Sequence, residues 1–174
     1  ALQEYAWQMA HPIYGPILNS VLALGGDSAG RFARAVSLTS HLGNGWLIWT
    51  IFRRGGASPA FAAMLSAFFL LAPFVAIRIS LAHVQYDFLL LLYLLSIWLS
   101  GLARLRYLAL ALPAAFIGLG IELLAALEPL RWWYLYGRGY RGRAFIFRAA
   151  PFLAIVLAVA LLRITLMATY GDYA

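Results

Sequence analysis

The sequence has no cysteine and no lysine, and it carries only six carboxylate side chains among 174 residues. Without cysteine, disulfide scaffolds, thiolate zinc sites and thiol catalysis are excluded. Charged residues make up 11% of the chain, against about a quarter in soluble domains. Hydrophobic residues instead reach 64%, and the mean hydropathy is +0.84. One water-facing core cannot hold so many apolar side chains, so the composition predicts an integral membrane protein.

All 13 basic residues are arginine, and the formal net charge is +7. These arginines stand in short clusters between apolar runs, where membrane proteins carry the charges that set their orientation. This pattern argues against nucleic acid as a partner, because the basic side chains form no continuous patch. Guanidinium groups can bind phosphates and lipid headgroups in a fork-like manner, so membrane lipids are the first partners that we expect.

Four apolar runs approach the roughly 20 residues that a helix needs to span a bilayer. Ser58 and Pro59 supply an N-cap and a first-turn proline for the second run. The run 13–24 is too short to cross and predicts an interfacial helix. The sequence thus predicts an all-α, polytopic membrane bundle forming one domain over 31–174, after an outer-face segment over 1–30. The predicted spans are residues 35–52, 59–77, 83–100 and 149–170.

The segment 107–136 does not fit a single crossing. A straight helix of about 30 residues would measure about 45 Å and overshoot the hydrocarbon core by half. Gly118 and Gly120 stand near its middle and weaken a helix there. We therefore predict a glycine-broken helical hairpin with arms at 107–117 and 121–136.

The charges favour this hairpin over one crossing helix. A crossing at this point would divide the Arg-rich loops between two faces, whereas a hairpin puts them all on one face. We expect a multi-pass protein of a membrane such as the bacterial inner membrane, with the Arg-rich loops in the cytoplasm. The arginines of that face are Arg53, Arg54, Arg104, Arg106, Arg138, Arg141, Arg143 and Arg148. The acidic residues Glu4, Asp27, Asp87, Glu122 and Asp172 fall on or near the other face, and Glu128 lies in the returning arm.

Polar side chains near the predicted outer face are the candidates for a binding site. His83 and Asp87 are one helical turn apart and share a face. Two interpretations remain open: an Asp-oriented histidine at a helix start, or a polar cluster that binds a hydroxylated or phosphorylated headgroup. His11 lies in a proline-pinned turn that reaches the same region. The predicted substrate-binding residues are His11, Arg78, His83, Gln85, Asp87 and Arg163.

Two further ionisable residues lie inside the predicted membrane region. Glu122 follows the glycine break and is either a functional carboxylate or an ion-pair partner for Arg78 or Arg163. His41 lies mid-span beside Gly43-Asn44-Gly45, where helix packing through a polar hydrogen bond is favoured over ligation of haem or pigment. No His pair at metal-ligand spacing, Gly-rich phosphate loop or nucleophile elbow is present, and no metal-ligating residue is predicted.

Several motifs together resemble the GT-C superfamily of polytopic membrane glycosyltransferases, which use polyprenyl-phosphate-linked sugars. The residues 11–14, His-Pro-Ile-Tyr, resemble that family's His-Pro-Pro-Leu-Tyr, and 53–59 resembles its short basic turn. The most specific piece is 83–87, His-Val-Gln-Tyr-Asp, which is similar to the His-x-Gln-Phe/Tyr-Asp/Asn motif that opens a later helix. The segment 118–130 resembles the glycine-broken hairpin, although Ile121-Glu122 stands where many members have Thr-Lys.

The resemblance spans residues 10–165 in order and implies an activity. It implies transfer of a sugar from a polyprenyl-phosphate carrier on the non-cytoplasmic face by an inverting, carboxylate-assisted displacement. The groups that such an enzyme would bind are polyprenyl phosphate or a divalent cation. The family's catalytic acid lies in a first outer loop, where only Glu4 stands here, so the resemblance predicts an incomplete or inactive enzyme. The catalytic candidates are Asp87, Glu122 and Glu4.

A second function, from a different class, is equally open at this point. The short chain, with its small-residue and aromatic surfaces, also suits a non-catalytic accessory subunit of a larger membrane complex. Such a complex could be energy-transducing or photosynthetic, and the chain would then bind lipid, pigment or neighbouring membrane subunits. Copurification with partners after detergent extraction would favour this alternative.

Overall fold

The computed structural model describes residues 14–71 and 84–170 of the chain, and this part contains helices and no strand. The predicted all-α class is therefore confirmed. Two short 3₁₀ turns, Gly26–Ser28 and Glu122–Leu127, join some of the helices. The α-helices are α1 (Tyr14–Gly25), α2 (Ala29–Arg54), α3 (Pro59–Leu71), α4 (Val84–Ser100), α5 (Leu105–Gly118), α6 (Glu128–Gly137) and α7 (Gly142–Tyr170).

The boundary between α2 and α3 follows the sequence signals. Gly56 has a φ of 103°, which reverses the chain where an L side chain would be strained. The hydroxyl of Ser58 then accepts a hydrogen bond from the backbone N–H of Phe61 at 3.2 Å. This is the predicted N-cap, with Pro59 as the first residue of the helix.

Of the helices in the described ranges, one is long and apolar enough to cross a membrane. It is the part of α7 over Gly142–Thr165, which is 24 residues long. The four predicted spans are thus not confirmed as a set and remain a prediction. The helix α2 has 26 residues but carries arginines near both ends and polar groups within. The helices α3, α4 and α5 have 13, 17 and 14 residues, and the predicted second span extends past Leu71 beyond the described residues.

The helix break predicted at Gly118 and Gly120 is present in the fold. The arm before it is α5, and the chain then passes through the 3₁₀ turn Glu122–Leu127 into α6. With 14 residues at about 1.5 Å each, α5 is about 21 Å long, which is shorter than a bilayer core of about 30 Å. The α6 arm, with 10 residues, is shorter still. The hairpin therefore has the dimensions of a pair of half-length helices.

The helix α4 occupies the centre of the bundle, and α2 and α5 pack most extensively against it. The main core cluster joins α2, α4 and α6, and its largest members are fully enclosed. A second cluster joins α4, α5 and α7 around Ala111 and Phe152. The main cluster consists of Leu47, Ile51, Tyr93, Leu94, Ile97, Leu119 and Tyr134.

Three Arg-rich turns lie together at one end of the bundle. A Cβ atom on Gly137 would collide with the carbonyl oxygen of Gly55, so glycine is required where these two turns meet. The Nε of Arg138 lies 3.4 Å from the carbonyl oxygen of Gly101 and donates to it. These contacts join the turns after α2, α4 and α6, as the hairpin predicted. Below, this end of the bundle is called the arginine end.

Candidate functional site

Asp87 lies at the centre of a buried polar cluster between α2 and α4. The hydroxyl of Ser37 donates to Asp87 Oδ2 at 2.9 Å, and the side-chain amide of Asn44 donates to the Asp87 backbone carbonyl at 2.9 Å. His41 Nδ1 lies 3.7 Å from Asp87 Oδ1. The carboxylate is only 3% exposed, and its position in the first turn of α4 suits the positive end of the helix dipole. We call these four residues the Asp87 cluster.

The spacing of the three partners on α2 explains how they meet one carboxylate. Ser37, His41 and Asn44 are separated by four and then three residues, so they line one face of the helix. All three are buried against α4. Small residues alongside permit the close approach, because a Cβ on Gly43 would stand 2.8 Å from a Leu91 methyl carbon. One polar face of α2 thus pairs with the single acidic residue of α4.

His41 is held from both sides of its ring. Its Nε2 lies 3.3 Å from the carbonyl oxygen of Leu70, while Nδ1 faces Asp87. The ring also stacks on Phe69, with 4.9 Å between the ring centroids. Both nitrogens therefore face oxygen atoms of the protein, and the imidazole links α2 to α3 as well as to α4.

A second buried polar cluster lies on another side of α4. Glu128 accepts hydrogen bonds from the Nε of Arg131 at 3.0 and 3.1 Å and from the hydroxyl of Tyr93. An Nη of Arg131 donates to the hydroxyl of Ser96 at 2.9 Å. Six residues of helix separate Tyr93 from Asp87, a rotation of about 600°, so the two clusters face different neighbours. We call Tyr93, Ser96, Glu128 and Arg131 the Arg131 cluster.

Aromatic rings complete the surroundings of Arg131, which is fully buried. Its guanidinium carbon lies 3.7 Å from the ring centroid of Phe152 and 5.5 Å from that of Tyr93. Its other Nη is buried without a hydrogen-bond partner among the described residues. The pair with Glu128 and the two ring faces therefore compensate most of the cost of burying this charge.

Arg148 closes the C-terminal end of α4. Its guanidinium donates to the backbone carbonyls of Ser100, Leu102 and Ala103, each at 2.7 Å. The last carbonyls of a helix have no partner within the helix, and the helix dipole is negative there. One side chain of α7 thus satisfies the end of α4 and fixes α7 beside it.

The structure describes only part of the predicted binding site. Glu4, His11, Arg78 and His83 lie outside the described residues. Gln85 belongs to the first turn of α4, and Glu122 begins the 3₁₀ turn of the hairpin. Arg163 is half-buried in the second half of α7. Among the predicted residues, Asp87 therefore has a defined set of contacts that reaches another helix.

Two groups of buried polar residues were not predicted as sites. Ser37 and Asn44 carry no signal beyond their helical spacing to His41, which places all three on one face of α2. Glu128 and Arg131 are three residues apart, a spacing that favours an ion pair on one helical face. That spacing was the available signal for the Arg131 cluster, but Tyr93 and Ser96 come from a distant helix.

A shallow apolar groove lies between α6 and α7 near the arginine end. It has a volume of about 220 Å³ and an almost wholly apolar lining. No group of three or more His, Asp or Glu side chains within 14–71 and 84–170 could hold a metal ion. The groove is lined by Trp132, Phe145, Ile146, Ala149, Ala150 and Leu153.

The fold and its sites define an all-α protein with an apolar exterior, two buried polar clusters and one strongly basic end. Comparisons of the chain with protein families, with curated proteins and with solved structures found no match. Its function therefore has to be argued from these residues.

Proposed function

We propose that the chain is a multi-pass membrane protein related to the GT-C glycosyltransferases, that it binds a polyprenyl-phosphate-linked sugar toward the non-cytoplasmic face, and that it is an incomplete or inactive form of such an enzyme. The observation that carries the proposal is the attachment of Asp87 to α2. The segment 83–87 bears the most specific family resemblance, and Asp87 is the residue that anchors it to the bundle through Ser37 and His41. A motif anchored in this way has a fixed position relative to the other helices at the end of the bundle opposite the arginine end.

Asp87 acts in this proposal as a positioning residue. Its carboxylate is buried and held by α2, so its contribution is to fix the first turn of α4. Gln85 belongs to the same turn, and His83 directly precedes the helix. With Arg78, they remain the side chains that we propose for the sugar phosphate. Arginine and histidine suit a phosphate because they can donate charge-assisted hydrogen bonds to it.

The membrane placement belongs to the same proposal. The arginine end lies in the cytoplasm, and the Asp87 cluster and the hairpin turn lie toward the other face. The helices α2, α3, α4 and α7 cross, and α5 and α6 enter and return. Many large apolar side chains are exposed along α7, and they suit a lipid environment: Leu153, Leu157, Leu161, Leu162 and Ile164.

The same exposed face of α7 favours a second candidate, the accessory subunit of a membrane complex. Within Gly142–Thr165, only 17% of the most apolar 18-residue stretch is buried inside the bundle. A helix so exposed can pack on a neighbouring subunit as well as on lipid. In that case the two polar clusters hold the helices together and bind no substrate.

Binding of undecaprenyl phosphate distinguishes the two candidate functions, a glycosyltransferase relative and an accessory subunit. The full chain is purified in a neutral detergent, and its binding of this lipid is measured by native mass spectrometry. We expect saturable binding, and Asp87→Asn should weaken it about tenfold, equivalent to about 1.4 kcal/mol, because a neutral amide holds Ser37, and with it the first turn of α4, less firmly than a carboxylate does. Ser96→Ala, on another side of the same helix, is the matched control and should bind as the unmodified chain does.

Transfer is measured in parallel from undecaprenyl-phosphate glucose and undecaprenyl-phosphate mannose to lipid acceptors of the source membrane. A positioning role predicts that Asp87→Asn raises the KM for the donor more than it lowers kcat. If the unmodified chain binds no undecaprenyl phosphate and instead copurifies with other membrane proteins in fixed stoichiometry, the accessory role replaces the enzymatic one.

A further inference from the structure

The groove between α6 and α7 is apolar along its whole length and open to the outside. Its α7 side, from Phe145 to Leu153, spans eight residues, or about 12 Å along the helix. Ala149 and Ala150 form the shallow middle of that side, and the indole of Trp132 forms the opposite wall. A groove with this shape accommodates a narrow apolar chain lying along the helix.

One arginine lies near the end of this groove, and its charge is not paired with any described residue. Arg143 is exposed and lies three residues before Ile146, so both are on the same side of α7. Its guanidinium makes no hydrogen bond, ion pair or ring contact with any residue in the described ranges. The neighbouring Arg141 and Arg148 are engaged, Arg141 on the ring of Tyr136 and Arg148 on the end of α4.

The charge around the groove has one sign. The sequence has no acidic residue between Glu128 and Asp172, and Glu128 is already paired with Arg131 in the interior. The turn before α7 carries Arg138 and Arg141 at the same end of the bundle, and Arg143 follows in the first turn of α7. An occupant with an anionic group at one end and an apolar chain at the other therefore matches both parts of the surface.

We propose that this groove binds one anionic phospholipid of the leaflet at the arginine end. The acyl chain lies against Ala149 and Ala150, and the phosphate accepts hydrogen bonds from Arg143. In the proposed membrane placement, Trp132 falls near the headgroup region, where tryptophan rings are enriched. Basic pockets between membrane helices are suited to such headgroups. The proposal rests on the membrane placement above, but it is independent of sugar transfer, because the Asp87 cluster lies toward the other end of α4.

Native mass spectrometry of the full chain, purified in neutral detergent, tests the proposal. The probes are phosphatidylglycerol and phosphatidylcholine with identical acyl chains. We expect one phosphatidylglycerol to be retained with about fivefold preference over phosphatidylcholine, the effect of one arginine near an anionic headgroup. Equal retention of the two lipids would overturn the proposal.

Three variants test separately the arginine that binds the phosphate, the groove that holds the acyl chain, and a control arginine. Arg143→Gln should abolish the preference while leaving weak retention of both lipids. Ala150→Trp fills the groove from an exposed position and should abolish retention of both. Arg104→Gln removes an exposed arginine from the same end, away from the groove, and should leave retention and preference unchanged. Unchanged lipid retention in Ala150→Trp, with thermal stability also unchanged, would contradict the proposal.

Other occupants are distinguished by competition and by mass. Inorganic phosphate at millimolar concentration should leave the phosphatidylglycerol bound, since the acyl chain provides part of the affinity. Equimolar undecaprenyl phosphate should also leave it bound. Displacement by either probe would overturn the proposal, as would a dimer of the unmodified chain that Ala150→Trp converts to a monomer.

Discussion

At the scale of single residues, the main question is how charges are accommodated inside an apolar bundle. Glu128 and Arg131 are accommodated by pairing with each other, because they are neighbours on one helix. Tyr93 and Ser96 then satisfy part of the remaining hydrogen-bonding capacity of the pair from α4. Asp87 depends instead on a distant helix for its partners.

The Arg131 cluster gives a prediction about stability. Arg131→Met leaves the Glu128 carboxylate buried without its partner, and we expect the free energy of unfolding to fall by about 3–5 kcal/mol. The double variant Glu128→Leu with Arg131→Met removes both charges and should recover most of that loss. Denaturant unfolding in detergent measures both. Equal destabilisation of the single and double variants would mean that Arg131 stabilises the fold through contacts other than the ion pair, such as its packing on Phe152.

The sequence allowed Asp87 to be selected as a polar residue at a helix start, but its partners could not be found. Helical spacing relates residues within one turn, and it pointed to His83. The hydrogen bond to Ser37 crosses 50 positions of sequence and depends on which face of α2 meets α4. That choice is made by packing, including the close contact of Gly43 with Leu91, which the apolar pattern alone does not specify.

At the scale of elements, the helix break within 107–136 was the most accurately predicted feature. The predicted arms were 107–117 and 121–136, and the observed helices are Leu105–Gly118 and Glu128–Gly137 with a 3₁₀ turn between them. The break occurs at the predicted glycines. The second arm begins later than expected, because the chain turns through 122–127 before α6 starts at Glu128-Pro129.

Gly118 has a role in this hairpin beyond ending a helix. A Cβ atom there would lie 2.9 Å from the backbone nitrogen of Tyr93 and 3.0 Å from the carbonyl oxygen of Leu89. These are backbone atoms of the central helix, so they cannot move aside as a flexible side chain would. We expect Gly118→Ala to lower the free energy of unfolding by about 1–3 kcal/mol.

The control for this substitution is Gly30→Ala. Gly30 is also helical, but an added Cβ there meets nothing within 4 Å. The better helix propensity of alanine should leave stability equal or raised by up to about 1 kcal/mol. Thermal unfolding of both variants in the same detergent provides the comparison, and a Gly118→Ala variant as stable as the unmodified chain would refute the close packing.

The helix that contains the predicted last span begins before that span. The apolar run predicted a span over 149–170, whereas α7 begins at Gly142 and includes Arg143 and Arg148. The guanidinium of Arg148 reaches back to three carbonyls at the end of α4, so the charge has partners although its backbone is helical. A count of apolar residues cannot detect a charged side chain with such partners.

At the scale of the whole molecule, the distribution of arginines agrees with the fold. The charge asymmetry predicted that these arginines lie on one side of a membrane, and that sidedness stays a prediction. Contacts from Gly137, Arg138 and Arg148 do bring the turns after α2, α4 and α6 together at one end of the bundle. The number of helices that cross a membrane does not follow as directly. The helices α4 and α5 are short and α2 is partly polar, so length and apolarity identify α7 alone.

The topology can be tested with introduced cysteines, because the chain has none of its own. We place one each at Ala103→Cys and Ala144→Cys, exposed positions at the arginine end, and one at Ser28→Cys before α2. An impermeant maleimide applied to right-side-out vesicles should label position 28 and leave 103 and 144 unlabelled until the membrane is permeabilised. This expectation follows from the proposed topology, in which the hairpin formed by α5 and α6 returns the chain to its starting side between 103 and 144.

The alternative topologies give different labelling. If 107–136 crossed the membrane once, positions 103 and 144 would react from opposite sides, and the contacts between Arg148 and the end of α4 would then be incompatible with the membrane-inserted protein. If 103 and 144 react together from outside while 28 is protected, the hairpin stands but the orientation is inverted. In that case the basic end would face away from the cytoplasm, and the proposed phospholipid would have to come from the outer leaflet.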